Sequence, residues 1–430
     1  MDRRRFLTVT AGLAATRPLA ALARSESPAT PLPPSIAALG SLAERAKPIT
    51  AAEQRSRVEK AKRLMAESKL DALVLTPGTS LRYFTGMRWW GGERLFACVL
   101  TRQGEPFLVC PFFEEERARE LLGRGPFDGA AADVRTWQEE ESPYELLARG
   151  LADRGAATGR IGIDESARFV FADGIAAAAA RAQVVSATPV TAGCRMVKDP
   201  HELELMELAN LATWQVYRAV FQALEPGMTQ ARFSELIRLA YERVGFDGEA
   251  SVQTGAATAL PHGSAKPQTI EEGTILMVDD GCDVHGYKSD ITRTFVLGKA
   301  TPRMNQVFGV VRRAQDAALV AARPGMPLAS IDAAARKVIA DAGFGPGFEH
   351  FTHRLGHGIG MDGHEWPYLV KNNMFGWQRE LAARPGMTFS NEPGIYLRGE
   401  FGVRIEDDMA ITEEGARLFT PQSESLEKPF

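Results

Sequence analysis

Over residues 55–68 the apolar positions Val58, Ala61, Leu64 and Met65 recur at helical spacing, and the run Ala72-Leu73-Val74-Leu75, closed by Pro77-Gly78, predicts a buried strand. Another strand is predicted at Phe107-Leu108-Val109-Cys110, ahead of a charged helical stretch at 114–122. Strands alternating with helices over roughly 140 residues predict a small α/β domain at 51–190, which holds no convincing catalytic cluster. Asp199-Pro200 then caps a long helix carrying Leu203, Met206, Ala209 and Leu211, and this opens a second domain at 191–430.

The second domain repeats itself. Pro226-Gly227-Met228 recurs as Pro324-Gly325-Met326 and Gly245-Phe246 as Gly343-Phe344, each at an offset of 98 residues. Both segments read as a turn followed by an amphipathic helix that a glycine closes. Downstream, Gly273 stands six residues before Asp279 and Gly386 six before Glu392, so each copy ends an apolar run (274–278 and 387–391) on a carboxylate. Two α+β halves, duplicated and bringing acidic residues to one shared site, are the expectation.

Composition narrows the setting. The 430 residues are 45% hydrophobic and carry a net charge of -4, ordinary for a globular protein and without the basic footprint of nucleic-acid or anionic-membrane binding. The amino terminus differs: Arg3, Arg4 and Arg5 precede a short apolar run and then Ala21-Leu22-Ala23, the form of a cleavable export signal at 1–23. The order Asp2-Arg3-Arg4-Arg5-Phe6-Leu7 resembles the twin-arginine motif, which implies periplasmic export of a folded chain. Removing 1–23 takes away four arginines and one aspartate, a charge of +3, and leaves -7. Residues 24–50, rich in Pro, Ala and Ser, read as a linker with little to pack. Cys98, Cys110, Cys194 and Cys282 are scattered and read as buried thiols rather than a zinc cluster or disulfide framework.

The chemistry gathers in the second domain. Ile275-Leu276-Met277-Val278 ends in Asp279-Asp280, whose side chains alternation sends to opposite faces. A hairpin through 284–287 would return Asp290 to a place beside Asp279, and two carboxylates so close ask for a cation. His353-Arg354-Leu355-Gly356-His357-Gly358 and then His364 add imidazoles in a glycine-rich stretch, and His262 lies upstream; together they favour a site, although each alone reads more readily as structural. Glu392 and Glu406 complete the acids, with Arg404 on the same strand face as Glu406. Four carboxylates and one imidazole suit manganese, cobalt, iron or zinc and disfavour a thiolate site.

In these residues the chain resembles the pita-bread metallopeptidases, the family of aminopeptidase P, prolidase, creatinase and methionine aminopeptidase. The resemblance covers about residues 51–430. It implies a pita-bread catalytic domain behind a creatinase-type leading domain, the latter marked by Tyr83-Phe84-Thr85-Gly86. By the resemblance Asp279, Asp290, His357, Glu392 and Glu406 match five ligands of two divalent ions, manganese first, with Asp290 and Glu406 bridging. Glu392 matches the carboxylate that exchanges protons with the bridging hydroxide. His262, His353 and His364 match the histidines that line the substrate site and support the tetrahedral intermediate, and Arg404 an arginine that orders the site. The implied substrate is a peptide with proline at its second position, and the implied assembly a homodimer or larger homo-oligomer. A lyase or hydrolase of a small non-peptide substrate on the same metals is the alternative, and a binding module without metals is disfavoured by the intact ligand set.

Overall fold

The computed structural model describes residues 31–375 and 380–430. The export signal expected at 1–23 lies outside the described residues.

The first unit is built on a six-stranded mixed sheet in the order Asp133–Trp137, Phe107–Pro111, Ala97–Thr101, Ala72–Leu75, Arg160–Ile163, Gln183–Ser186. Ala72–Leu75, buried at every position, pairs antiparallel with Ala97–Thr101 and parallel with Arg160–Ile163, which accounts for its unbroken apolar sequence. The helix Ala51–Glu67 packs beside the sheet and starts at a capping box, where Thr50 and Glu53 satisfy each other's backbone N–H.

Residues 31–50 are more ordered than their Pro- and Ala-rich composition suggests. Ile36, in the short helix Pro34–Ala37, is fully buried in the core that also takes in the second unit, the Leu42 N–H donates to the Val244 carbonyl at 2.8 Å, and Ser35 Oγ donates to the Ala219 carbonyl at 2.7 Å. The linker expectation therefore fails for this part, because the few apolar residues among the small ones are what decide packing.

The second unit shows the duplication in its hydrogen bonds. Each Pro-Gly-Met turn holds its glycine at positive φ, 84° at Gly227 and 82° at Gly325. The Gly227 N–H donates to the Ile270 carbonyl and the Gly325 N–H to the Ala383 carbonyl, each at 2.8 Å, and each acceptor lies nine residues before its carboxylate, Asp279 or Glu392. The helices Gln230–Val244 and Leu328–Ile339 follow the two turns. One half forms a three-stranded sheet of Ser251–Thr254, Ile275–Asp280 and Ile291–Val296. The other forms a five-stranded sheet of Glu365–Leu369, Gly356–Gly358, Thr388–Asn391, Asp407–Ile411 and Ala416–Leu418. The long helices Pro200–Phe221, opened by the Asp199 cap, and Pro302–Ala321 complete the two halves. The architecture is the expected α+β pita-bread domain behind a creatinase-type α/β domain. The four cysteines are buried thiols.

Candidate metal centre

The two sheets bring strand ends together. Asp279 sits at the end of Ile275–Asp280, Asp290 directly precedes Ile291–Val296, Glu392 directly follows Thr388–Asn391, and Glu406 directly precedes Asp407–Ile411. Each half thus contributes one acid where a strand ends and one where its antiparallel partner begins. The Glu406 N–H donates to the Thr292 carbonyl at 3.1 Å, which locks the halves together at the site. His357, 1% exposed, is the middle residue of Gly356–Gly358. Its neighbour Gly356 is obligatory, since a Cβ there would stand 2.1 Å from the Ser390 carbonyl oxygen.

Donor atoms fall into three overlapping groups, in each of which they lie within 4.8 Å of one another: Asp279, Asp290 and Glu406; His357, Glu392 and Glu406; and Asp290, His357 and His364. Asp290, His357 and Glu406 each belong to two. His357 Nδ1 lies 3.1 Å from its neighbour's carbonyl, Gly358, so the proton is assigned to Nδ1, and the bare Nε2 lies 3.8 Å from Asp290 Oδ2 and 3.4 Å from Glu392 Oε1. Burial, then the neighbouring His364, holds the ring well below the usual histidine range, so it is neutral and ready to ligate.

The carboxylates lack enough protein cations. Burial first and then Asp279 push Asp290 well above the usual range, and burial and then Asp290 do the same to Glu406. Arg404 bonds the acids directly, with one nitrogen 2.5 Å from Asp279 Oδ2, and Arg354 in the cavity wall acts on Glu392. Four buried acids that outnumber the arginines acting on them, Arg404 and Arg354, together with a bare imidazole nitrogen, fit divalent ions.

The cluster forms the floor of a cavity of about 700 Å³, whose walls include His262, Phe348, His353, Arg354, His364 and Val370. All nine residues singled out from the sequence border this cavity. The histidines differ in what they have left to offer. His353 is committed on both sides: Nδ1 lies 2.7 Å from the Arg354 carbonyl and Nε2 2.7 Å from the Tyr396 hydroxyl, and burial holds the ring down at about 3. His364 accepts from Arg354 at Nδ1 (3.1 Å), which assigns its proton to Nε2. His262 is exposed at the rim.

Asp280 departs from regular strand geometry, with a φ of 136°, while staying paired with Ile291; it borders a second cavity as well as the one that holds Asp279. Trp366 and Tyr368 pair with each other at 5.2 Å, and Tyr368 meets the cavity wall through the Arg354 guanidinium, 4.1 Å above its ring.

Three supporting residues escaped the sequence reading. Thr292 Oγ1 stands 2.6 Å from both Asp279 Oδ1 and Glu406 Oε2 and accepts from Arg404 Nε at 3.0 Å. Tyr396 accepts from Arg404 at 3.0 Å and donates to His353, joining the two. Fully buried Arg293 pairs with Asp407 at 2.6 Å and donates to the Glu406 carbonyl at 2.8 Å. Thr292 could have been found, because alternation from Asp290 places it on the same face. Tyr396 had no such signal.

Comparison with known proteins agrees with this geometry. Residues 204–413 match Metallopeptidase family M24, and residues 57–197 match the Creatinase/Prolidase N-terminal domain. A protein named Xaa-Pro dipeptidase from Lactobacillus delbrueckii subsp. lactis is 31% identical over 384 residues, covering 86% of this chain and 98% of the relative. A probable dipeptidase PepE from Mycobacterium bovis is 36% identical over 358 residues, covering 82% and 90%. Among solved structures, dipeptidase PepE from Mycobacterium ulcerans superposes with a TM-score of 0.81 at 35% identity, covering 89% of this chain and 99% of that one. Prolidase from Thermococcus sibiricus gives 0.74 at 28%, covering 85% and 96%. The chain belongs to metallopeptidase family M24, with a creatinase-type amino-terminal domain. It is a hydrolase of that family.

Proposed function

We propose that the chain is a two-metal Xaa-Pro peptidase that cuts the bond before proline, with dipeptides as its first substrates. The observation that carries this reading is the overlap of the donor groups, in which Asp290, Glu406 and His357 are each shared, Asp290 and Glu406 being the shared carboxylates. Relatives named Xaa-Pro dipeptidase or prolidase supply the substrate class.

Asp279, Asp290, His357, Glu392 and Glu406 would hold two divalent ions, with manganese favoured by the hard, oxygen-rich set. When bound, the ions acidify a water into a nucleophile at neutral pH and polarise the scissile carbonyl. Glu392, 3.4 Å from His357 and 3.7 Å from His353, would take the proton from the attacking water and pass it to the leaving proline nitrogen. His364 carries a proton on Nε2 and is the donor for the developing oxyanion. His353 cannot share that role, since both its nitrogens are engaged; it orders Tyr396 instead. Arg404 fixes Asp279 and accompanies His262 through the Pro261 carbonyl at 3.0 Å.

The test is a panel of dipeptides and tripeptides, with and without proline in second position, assayed after manganese loading. Selective cleavage of the Xaa-Pro members supports the assignment. Equal cleavage of the panel, or none, overturns it. Export is also part of the proposal: with lysine in place of Arg3, Arg4 and Arg5 the protein should remain in the cytoplasm, and unchanged periplasmic delivery would contradict the twin-arginine route.

A further inference from the structure

A second charged cluster lies outside the cavity, where the first unit meets the segment that carries His364. Asp362 and Glu365 flank that histidine in the chain, and neither borders the cavity. Arg195, the last residue of the helix Thr188–Arg195, bonds through one guanidinium nitrogen to Asp362 Oδ2 at 2.5 Å and to Glu365 Oε2. Lys198 Nζ donates to Glu365 Oε1 at 2.6 Å. From the first unit's helix Thr79–Thr85, Thr79 Oγ1 donates to Asp362 Oδ1 at 2.5 Å. Arg195, Lys198 and Glu365 are 7%, 5% and 6% exposed.

Buried ion pairs are poor stabilisers, since desolvation consumes most of their attraction, whereas apolar residues would bind two units together at lower cost. What such pairs fix well is geometry. Here the bonds fall on both sides of His364, at 362 and at 365. Between them Gly363 has no side chain to pack, and its backbone meets the His357 ring. Gly360 leaves the room the cluster needs: a Cβ there would stand 2.5 Å from Glu365 Oε1 and 2.8 Å from Lys198 Cε. The His364 ring is held directly by Arg354 at Nδ1 (3.1 Å), and the backbone that carries it is tied at 362 and 365 by the cluster.

We propose that Thr79 of the first unit and, at the junction of the two units, Arg195 and Lys198 are positioning residues that hold His364 in register over His357 and so set the turnover rate. This rests on the reading of His364 as the oxyanion donor. It gives the creatinase-type unit, which contributes no residue to the cavity wall, a part in catalysis.

Thr79→Val is the cleanest probe, because it deletes one hydroxyl and leaves no new charge buried; Arg195→Lys keeps the charge and removes the fork. Both are assayed with full metal occupancy, in the native background and together with His364→Ala. In the native background each should lower kcat about ten-fold, with KM within about two-fold and metal content unchanged, as expected for a donor displaced by a fraction of an ångström. Amide hydrogen exchange over 360–366 should quicken in Thr79→Val. In the His364→Ala background neither should change kcat by more than about two-fold, because residues acting through one group are not additive. Equal losses in both backgrounds, or undiminished kcat in the native background, overturn the clamp and leave the donor role of His364 standing. Full activity of His364→Ala alone would overturn both.

Discussion

The His364 ring lies on the His357 ring, with centroids 3.6 Å apart and planes inclined by 20°. His357 presents a bare nitrogen to the carboxylates, and His364 keeps a proton on Nε2. On the proposed reading one ring would serve as a ligand and its neighbour as a donor. His364→Ala should therefore lower kcat by about 10²-fold or more, the usual cost of losing an oxyanion donor, with metal content unchanged. Steady-state kinetics beside elemental analysis checks this, and metal loss in the variant would move His364 into the ligand set.

Asp290 and Glu406 are the two carboxylates shared between donor groups, so on the two-ion reading neither ion would keep a complete set without them. Asp290→Ala and Glu406→Ala should lose bound metal and activity together. Chelation of the native protein should lower its melting temperature, because the acids then repel in a buried place, and added manganese should restore it. Elemental analysis and thermal melts read both outcomes.

Tyr396 joins Arg404 to His353. Tyr396→Phe leaves the ring packed and removes the hydroxyl alone. A bond to a charged group contributes about 1.5–3 kcal/mol, so a fall in kcat/KM of roughly ten-fold or more is expected, with metal retained. An unaffected rate would show that His353 needs no such support.

Glu365 supplies a pH prediction away from the cavity. Although burial pushes its carboxyl up, Arg195 and Lys198 hold it down at about 2, against 4.5 for the free side chain. A folded value below the unfolded one means that its contribution is complete above about 4.5 and fades as pH falls toward about 2. Glu365→Gln should melt lower than the native protein at neutral pH. Between pH 4.5 and 2 its stability should fall less steeply, by up to about 1.4 kcal/mol per pH unit. Parallel curves would contradict the pairing.

The sequence made much of this legible, for identifiable reasons. The 98-residue echo survives because Gly227 and Gly325 each need the same left-handed turn, and the turns hold the two halves' acids in equivalent places. Asp279, Asp290, Glu392 and Glu406 could be found because acids at the ends of apolar strands are costly unless a cation joins them. The positive φ of Asp280 left no mark in the alternating pattern that ends the strand. Pro- and Ala-rich composition hid the packing of Ile36 and Leu42, since burial of a few side chains decides the matter. Arg195 with Glu365 and Tyr396 with His353 stayed hidden because a pair distant in the chain leaves no periodicity to read.

The central claim, a site in which two ions act together on an Xaa-Pro bond, is tested most directly by stepwise manganese titration of the metal-free protein. Bound metal and hydrolysis of a Xaa-Pro dipeptide are followed in the same samples. Activity should rise as the second equivalent binds and level off at two ions per chain. Full activity at one ion per chain, or activity that persists without metal, would contradict the account.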